Sequence, residues 1–235
     1  MIDKTVANCS LAVAAVHDGA TIMFGGFGNP GVPANLIEAL RRQGTKDLVA
    51  IHNGAGIGDF ALGGLFLDGR IRKLTASFPI NPGSWAFRDR YLKGEVELEL
   101  VPQGTLVERI RAAGAGLGGF FTPTAAGTEL AAGKETRVIN GREHVFETPL
   151  HADFAFIKAY RGDRLGNLTY RKAMRNFNPI MATAATVVIA EVEQIVPVGS
   201  LPLEEIHTPG IFIDHLVQVD RDPRLFDPRK EEKGP

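Results

Sequence analysis

Residues 21–51 leave few folds open. Thr21-Ile22-Met23-Phe24 is a short apolar run, and Gly25 to Pro33 is rich in glycine and proline. Residues 35–42 place Leu36, Ile37 and Leu40 on one helical face, and Leu48-Val49-Ala50-Ile51-His52 is apolar again. Gly44 stands where helices commonly end on a left-handed glycine. Strand, loop, helix and strand in this order make a βαβ unit, which joins two parallel strands by a right-handed crossover. Parallel strands are buried on both faces, so helices are expected on each side of the sheet.

The alternation continues through residue 113. The pattern predicts helices at 59–67, 87–93 and 106–113 and strands at 71–77 and 96–101. An earlier helix is expected within 3–17, where Val6, Leu11, Val13, Ala14 and Val16 recur at roughly helical spacing. The fold class expected is therefore α/β, an open and mostly parallel sheet with helices on both faces. A small β excursion interrupts it at about 120–150, where Asn140-Gly141 between 136–139 and 142–146 predicts a hairpin with a type I′ turn. Further strands are expected at 153–160, 187–192 and 211–219. Residues 1–220 read as one domain, and 221–235 as a charged C-terminal tail.

Composition removes several classes of function. The net charge is -1 with no long basic run, which argues against nucleic-acid and anionic-membrane partners. No apolar run approaches the length needed to span a bilayer, and the N-terminus carries no secretory pattern, so a cytoplasmic setting is expected. The single cysteine, Cys9, excludes a disulfide framework within the chain and is expected to be a small buried residue. The histidines, including His52, show no metal-like spacing and read as core or surface residues, so no metal is expected. Ser77 and Ser84 have no base nearby in sequence.

The loop Gly25-Gly26-Phe27-Gly28-Asn29-Pro30-Gly31 admits two readings. Gly26, Gly28 and Gly31 satisfy a dinucleotide fingerprint between a strand and a helix, which keeps a nicotinamide-dependent oxidoreductase open. That site wants an acidic residue at the end of the second strand, and His52-Asn53 stand there instead. Alternatively, a backbone with so few Cβ atoms permits close approach, and its amides before a helix suit an anion or a developing oxyanion. Asn53 and Gln103 each follow a strand end, where open sheets bind ligands. Either amide could donate to an oxyanion, or could satisfy only local backbone groups.

Asp18-Gly19-x-x-Ile22-Met23-Phe24-Gly25-Gly26-Phe27-x-x-x-Gly31-x-Pro33 resembles the α-subunit signature of the class I CoA-transferases. Val101-Pro102-Gln103-Gly104, Gly166-Asn167-Leu168-Thr169-Tyr170, Arg175-Asn176-Phe177-Asn178 and Thr208-Pro209-Gly210 extend the resemblance over roughly 5–220. It implies a fold of the NagB/RpiA/CoA-transferase-like type. It also implies ping-pong transfer of CoA through a glutamyl-CoA thioester, with coenzyme A entering as the acyl-CoA substrate and no permanently bound cofactor.

The resemblance assigns Gly25 to Gly31 to CoA binding and matches Asn53 to an active-site asparagine, while Gln103, within the resembling segment 101–106, is expected from its strand-end position to donate its amide to a substrate carboxylate or oxyanion. It places the nucleophilic glutamate in a Ser-Glu-Asn-Gly motif of a β subunit, within an α2β2 assembly. This chain has no such motif, and its one Glu-x-Gly is Glu232-Lys233-Gly234. Where members often carry a second asparagine, Gly54 stands here. The segments Ser77-Phe78-Pro79, Pro149 to Phe154 and Thr169 to Ala173 are most similar to members acting on 3-oxoadipate, with succinyl-CoA as donor. Transfer to acetoacetate is the next reading. The Arg171, Lys172 and Arg175 cluster is compatible with a solvated face, a partner contact or CoA phosphates.

Overall fold

The computed structural model describes residues 2–220, so the expected charged tail and Glu232-Lys233-Gly234 lie outside the described residues. In chain order the elements are α1 (Cys9–Ala12), β1 (Thr21–Phe24), α2 (Ala34–Gln43), β2 (Leu48–Ile51), α3 (Leu62–Leu67) and β3 (Ile71–Ala76). Then come α4 (Trp85–Leu92), β4 (Glu97–Leu100), α5 (Gln103–Gly114), β5 (Phe120–Thr122), β6 (Thr136–Ile139) and β7 (Arg142–Glu147). The chain continues with β8 (Ala152–Asp163), β9 (Leu168–Thr169), α6 (Asn178–Met181), β10 (Ala185–Val196) and β11 (His215–Gln218).

The main sheet runs β11-β10-β8-β1-β2-β3-β4, all parallel, with the short β9 antiparallel to β8. Strand residues alternate between two cores, as the two-residue period of a strand requires. Ile22 and Phe24 join Leu36, Leu40, Leu65 and Phe87 beneath α1–α4, whereas Met23 joins Leu106, Ile110 and Met181 beneath α5 and α6. The sequence departs from β1 first to β2 and later to β8, so the crossovers reverse direction at β1. Ligands of open α/β sheets bind outside the carboxyl ends of strands at such a reversal. β5, β7 and β6 form the separate antiparallel excursion, and Asn140 and Gly141 both take positive φ, 50° and 74°, as a type I′ turn needs.

Several expectations need correction. The predicted helix over 3–17 reduces to α1, capped by Asn8 Oδ1 accepting from the Leu11 amide at 3.0 Å. Residues 4–6 are instead drawn onto β11, with Val6 N donating to Leu216 O and Leu216 N to Lys4 O, each at 2.8 Å. Edge pairing there outcompetes a helix with little intrinsic cooperativity. The helix expected from Asp59 begins only at Leu62. α5 begins at Gln103 rather than Leu106, because Pro102 takes the position before the first turn and its carbonyl accepts from Leu106 N at 2.8 Å. β8 and β10 run twelve residues each, longer than read, pairing as far as Asp163 and Val196. The expected strand 211–219 is a 3-10 turn over Gly210–Phe212 followed by β11. Cys9 is half-buried rather than buried. No helix among the described residues is long and apolar enough to cross a membrane.

Candidate active site

The register of β2, β3 and β4 aligns their carboxyl ends: Ile51 lies opposite Thr75, and Ala76 opposite Leu100. The residues that follow therefore leave the sheet along one edge, although 24 and 26 positions separate Asn53, Ser77 and Gln103 in the sequence. Ser77 N and Phe78 N both donate to Asn53 O, at 3.1 and 2.9 Å, which fixes the first turn after β2. The Ser77 hydroxyl also donates to that carbonyl, at 3.2 Å, and accepts from Asn53 Nδ2 at 2.7 Å. Asn53 Nδ2 donates further to Gln103 Oε1 at 3.4 Å. The three polar side chains thus form one chain of hydrogen bonds.

These groups border a cleft of about 290 Å³. Phe27 and Gly28 of the glycine loop wall one side, and Gly54 to Ile57, Phe78 and Asn81 wall the others. No aspartate or glutamate is among the described residues that line it. Ser77 and Asn53 spend their side-chain hydrogens within that chain of bonds, so its uncommitted donor is the neutral amide nitrogen of Gln103. The volume suits the reacting end of a ligand and lies at the lower limit for small-molecule sites.

His52 also borders the cleft and is 3 % exposed. Its Nδ1 lies 3.0 Å from Gly54 N, which donates to it, and 2.9 Å from Gly54 O. Nε2 is buried with no hydrogen-bond partner among the described residues. Burial pushes the imidazole pKa down to about 4, against a smaller upward pull from the Gly54 carbonyl, so the ring is neutral near pH 7. Sequence reasoning passed over His52 and Ser77. The signal available was their place at the ends of adjacent parallel strands.

Glycine-loop residues Gly25 to Gly31 precede α2, and of them Phe27 and Gly28 line the cleft. Gly25 N donates to Phe156 O at 2.8 Å and Phe27 N to Pro30 O at 3.1 Å. The amides of Gly26, Gly28, Asn29 and Gly31 make no hydrogen bond among the described residues. The helix end itself is not free. Leu36 N donates to Glu191 Oε2 at 2.9 Å and Asn35 Nδ2 to Glu191 Oε1 at 3.3 Å, and Lys158 Nζ balances that carboxylate at 2.9 Å. Of the residues with unpaired loop amides Gly28 lines the cleft, whereas the first turn of α2 is already engaged.

The basic cluster is only partly engaged. Arg171 lies 3.6 Å from Glu193 and stacks on Tyr160 at 4.6 Å, while Lys172 and Arg175 are exposed. Cys9 lies away from the cleft, and burial together with Glu191 raises its thiol pKa to about 12, which keeps it protonated and poorly nucleophilic.

Comparisons with known proteins place the family and the fold. The family profile described as Coenzyme A transferase matches residues 6–219. The chain is 55% identical to the A-type subunit of 3-oxoadipate CoA-transferase from Pseudomonas putida, over 93% of this chain and 95% of that protein. It is 43% identical to the A-type subunit of succinyl-CoA:3-ketoacid coenzyme A transferase from Helicobacter pylori, over 94% of each. Among solved structures, glutaconate coenzyme A-transferase from Acidaminococcus fermentans superposes with a TM-score of 0.81 at 21% identity, covering 92% of this chain and 76% of that one. An acyl-CoA transferase from Escherichia coli O157:H7 in a thioester complex with CoA also gives 0.81, at 19% identity, covering 96% of this chain and 49% of that one. By sequence along nearly its whole length, and by fold, the chain belongs to the coenzyme A transferase family.

Proposed function

We propose that this chain is the α subunit of a heteromeric CoA-transferase that moves CoA from succinyl-CoA to a 3-oxo acid, 3-oxoadipate in the first instance. The carrying observation is the cleft at the ends of β1–β4, which is lined by Gln103 and Gly28 and has no carboxylate among its described lining. Family chemistry needs a glutamate nucleophile, so in this reading the glutamate comes from a partner β subunit with a Ser-Glu-Asn-Gly motif, in an α2β2 assembly. The 55% identity to a 3-oxoadipate CoA-transferase chain supports the acceptor, and the succinyl-CoA:3-ketoacid relatives support acetoacetate as a second candidate.

In the first half-reaction the partner's carboxylate adds to the succinyl thioester carbonyl. Collapse expels CoA thiolate and leaves an acyl-glutamyl anhydride. The thiolate then adds to the glutamyl carbonyl, succinate departs as its carboxylate, and a glutamyl-CoA thioester remains. The acceptor acid reverses these steps and leaves with CoA. Each addition places negative charge on a former carbonyl oxygen, and one preorganised donor to such an oxyanion contributes about 3–4 kcal/mol. Gln103 supplies a side-chain amide, Asn53 holds it, and Gly28 brings one backbone N–H to the same cleft. In this reading Gly25 to Gly31 border the pantetheine end of the acyl-CoA.

The test is reconstitution. The chain co-purified with a β subunit carrying the Ser-Glu-Asn-Gly motif is expected to form 3-oxoadipyl-CoA from succinyl-CoA and 3-oxoadipate, and the chain alone is expected to form none. Turnover by the isolated chain, or no transfer by the complex, would overturn the reading.

A further inference from the structure

The segment Met174-Arg175-Asn176-Phe177-Asn178 has no part in the chemistry above, yet it grips the glycine loop at several points. Asn178 is 0 % exposed. Its Nδ2 donates to Gly31 O at 3.0 Å and to Met174 O at 2.8 Å, and its Oδ1 accepts from Lys158 N at 2.9 Å. It fills the space that a Cβ on Gly25 or Gly31 would need. Asn176 Nδ2 donates to Pro30 O at 2.8 Å and Ala173 O at 2.6 Å, while its Oδ1 accepts from Phe177 N at 2.6 Å. Phe177 stacks on Phe27, with ring centroids 6.4 Å apart and planes 18° apart.

On the loop itself the hydrogen bonds fall on two successive carbonyls, Pro30 O and Gly31 O, and the ring contact falls on Phe27. In a trans peptide the carbonyl and the next amide point opposite ways. A carbonyl held toward 176–178 therefore turns the amide that follows it away from that segment. Asn176, together with Phe27 N, fixes the peptide that carries the unpaired Gly31 N–H, and Asn178 fixes the next one, whose Val32 N–H donates to Asn29 O at 3.3 Å. The stacked Phe27 sets the near side of Gly28, which borders the cleft. Ordering such a loop costs conformational entropy, and donors ordered before the substrate binds do not reorganise during reaction.

We propose that Asn176, Phe177 and Asn178 are positioning residues, which fix the peptide planes of the glycine loop and so aim its free amides for catalysis. The catalytic part rests on the transferase reading above. In the co-purified complex, Asn176→Ala and Asn176→Asp both lose the donor to Pro30 while the exposed position spares the core. Each is expected to lower kcat about ten-fold, with KM for the acceptor acid changed less than about two-fold. Hydrogen-exchange mass spectrometry on the full chain is expected to show faster exchange of amides in 25–33 for both variants. Wild-type exchange in both, or wild-type kcat in the complex, overturns the proposal. Absent transfer by the wild-type complex sinks the transferase reading instead, and the exchange experiment still decides whether the clamp exists. A thermal midpoint more than about 5 °C below wild type would mark general destabilisation and count against a positioning role.

Discussion

Asn53 Nδ2 donates to Gln103 Oε1 across 3.4 Å, joining the end of β2 to the first residue of α5. With its oxygen engaged, the Gln103 amide is left to present its nitrogen. Asn53 in turn is held by Ser77, so the donor at the mouth of the cleft has a fixed support behind it.

Gln103→Ala in the co-purified complex is expected to lower kcat by ten-fold or more, which corresponds to about 1.4 kcal/mol or more of lost transition-state stabilisation. Steady-state assays with succinyl-CoA and 3-oxoadipate check it. An unchanged kcat would remove Gln103 from the reacting centre.

His52 should make stability depend on pH. Its folded pKa of about 4 lies below the ordinary value of 6.5, so the unfolded chain binds the proton more readily. The contribution is fully present above about pH 6.5 and is lost as pH falls toward 4, amounting to at most about 3 kcal/mol. Denaturant melts of wild type and His52→Gln at pH 7.5 and 5 should show a smaller pH-dependent loss in the variant. Equal losses would mean that other groups carry the effect.

Lys158 and Glu191 are 1 % and 0 % exposed and lie 2.9 Å apart. Lys158→Met leaves a buried carboxylate without its counter-charge and is expected to cost roughly 3–5 kcal/mol of stability. Adding Glu191→Leu should recover part of that loss, though not all, because Leu36 N then lacks its acceptor. Urea denaturation of the three variants tests this, and a double variant less stable than Lys158→Met would contradict it.

Gly25→Ala and Gly28→Ala should behave differently. A Cβ at Gly25 would overlap the buried Asn178 side chain, whereas nothing lies within 4 Å of one at Gly28, where only φ +59° opposes alanine. Gly28→Ala is expected to cost about 1–2 kcal/mol and to leave a folded protein. Gly25→Ala should cost more, through overpacking, and lower the soluble yield. Thermal melts of both purified variants provide the check, and equal midpoints would contradict the crowding at Gly25.

The sequence alone determined the class of sheet, the place of the glycine loop and the Asn140-Gly141 hairpin, because each follows from short-range rules: apolar period, turn chemistry and the crossover a parallel pair needs. It also pointed to Asn53 and Gln103 as residues at strand ends. Only the tertiary structure decided that Ser77 links them, that His52 is buried beside them, and that Asn178 rather than a ligand occupies the space left by Gly25. Those facts depend on which strands lie side by side and on what packs over their ends. A periodic pattern records which way a side chain faces along its own strand and carries no information about its lateral neighbour. For the same reason residues 4–6, helical by pattern, were claimed by the edge of β11.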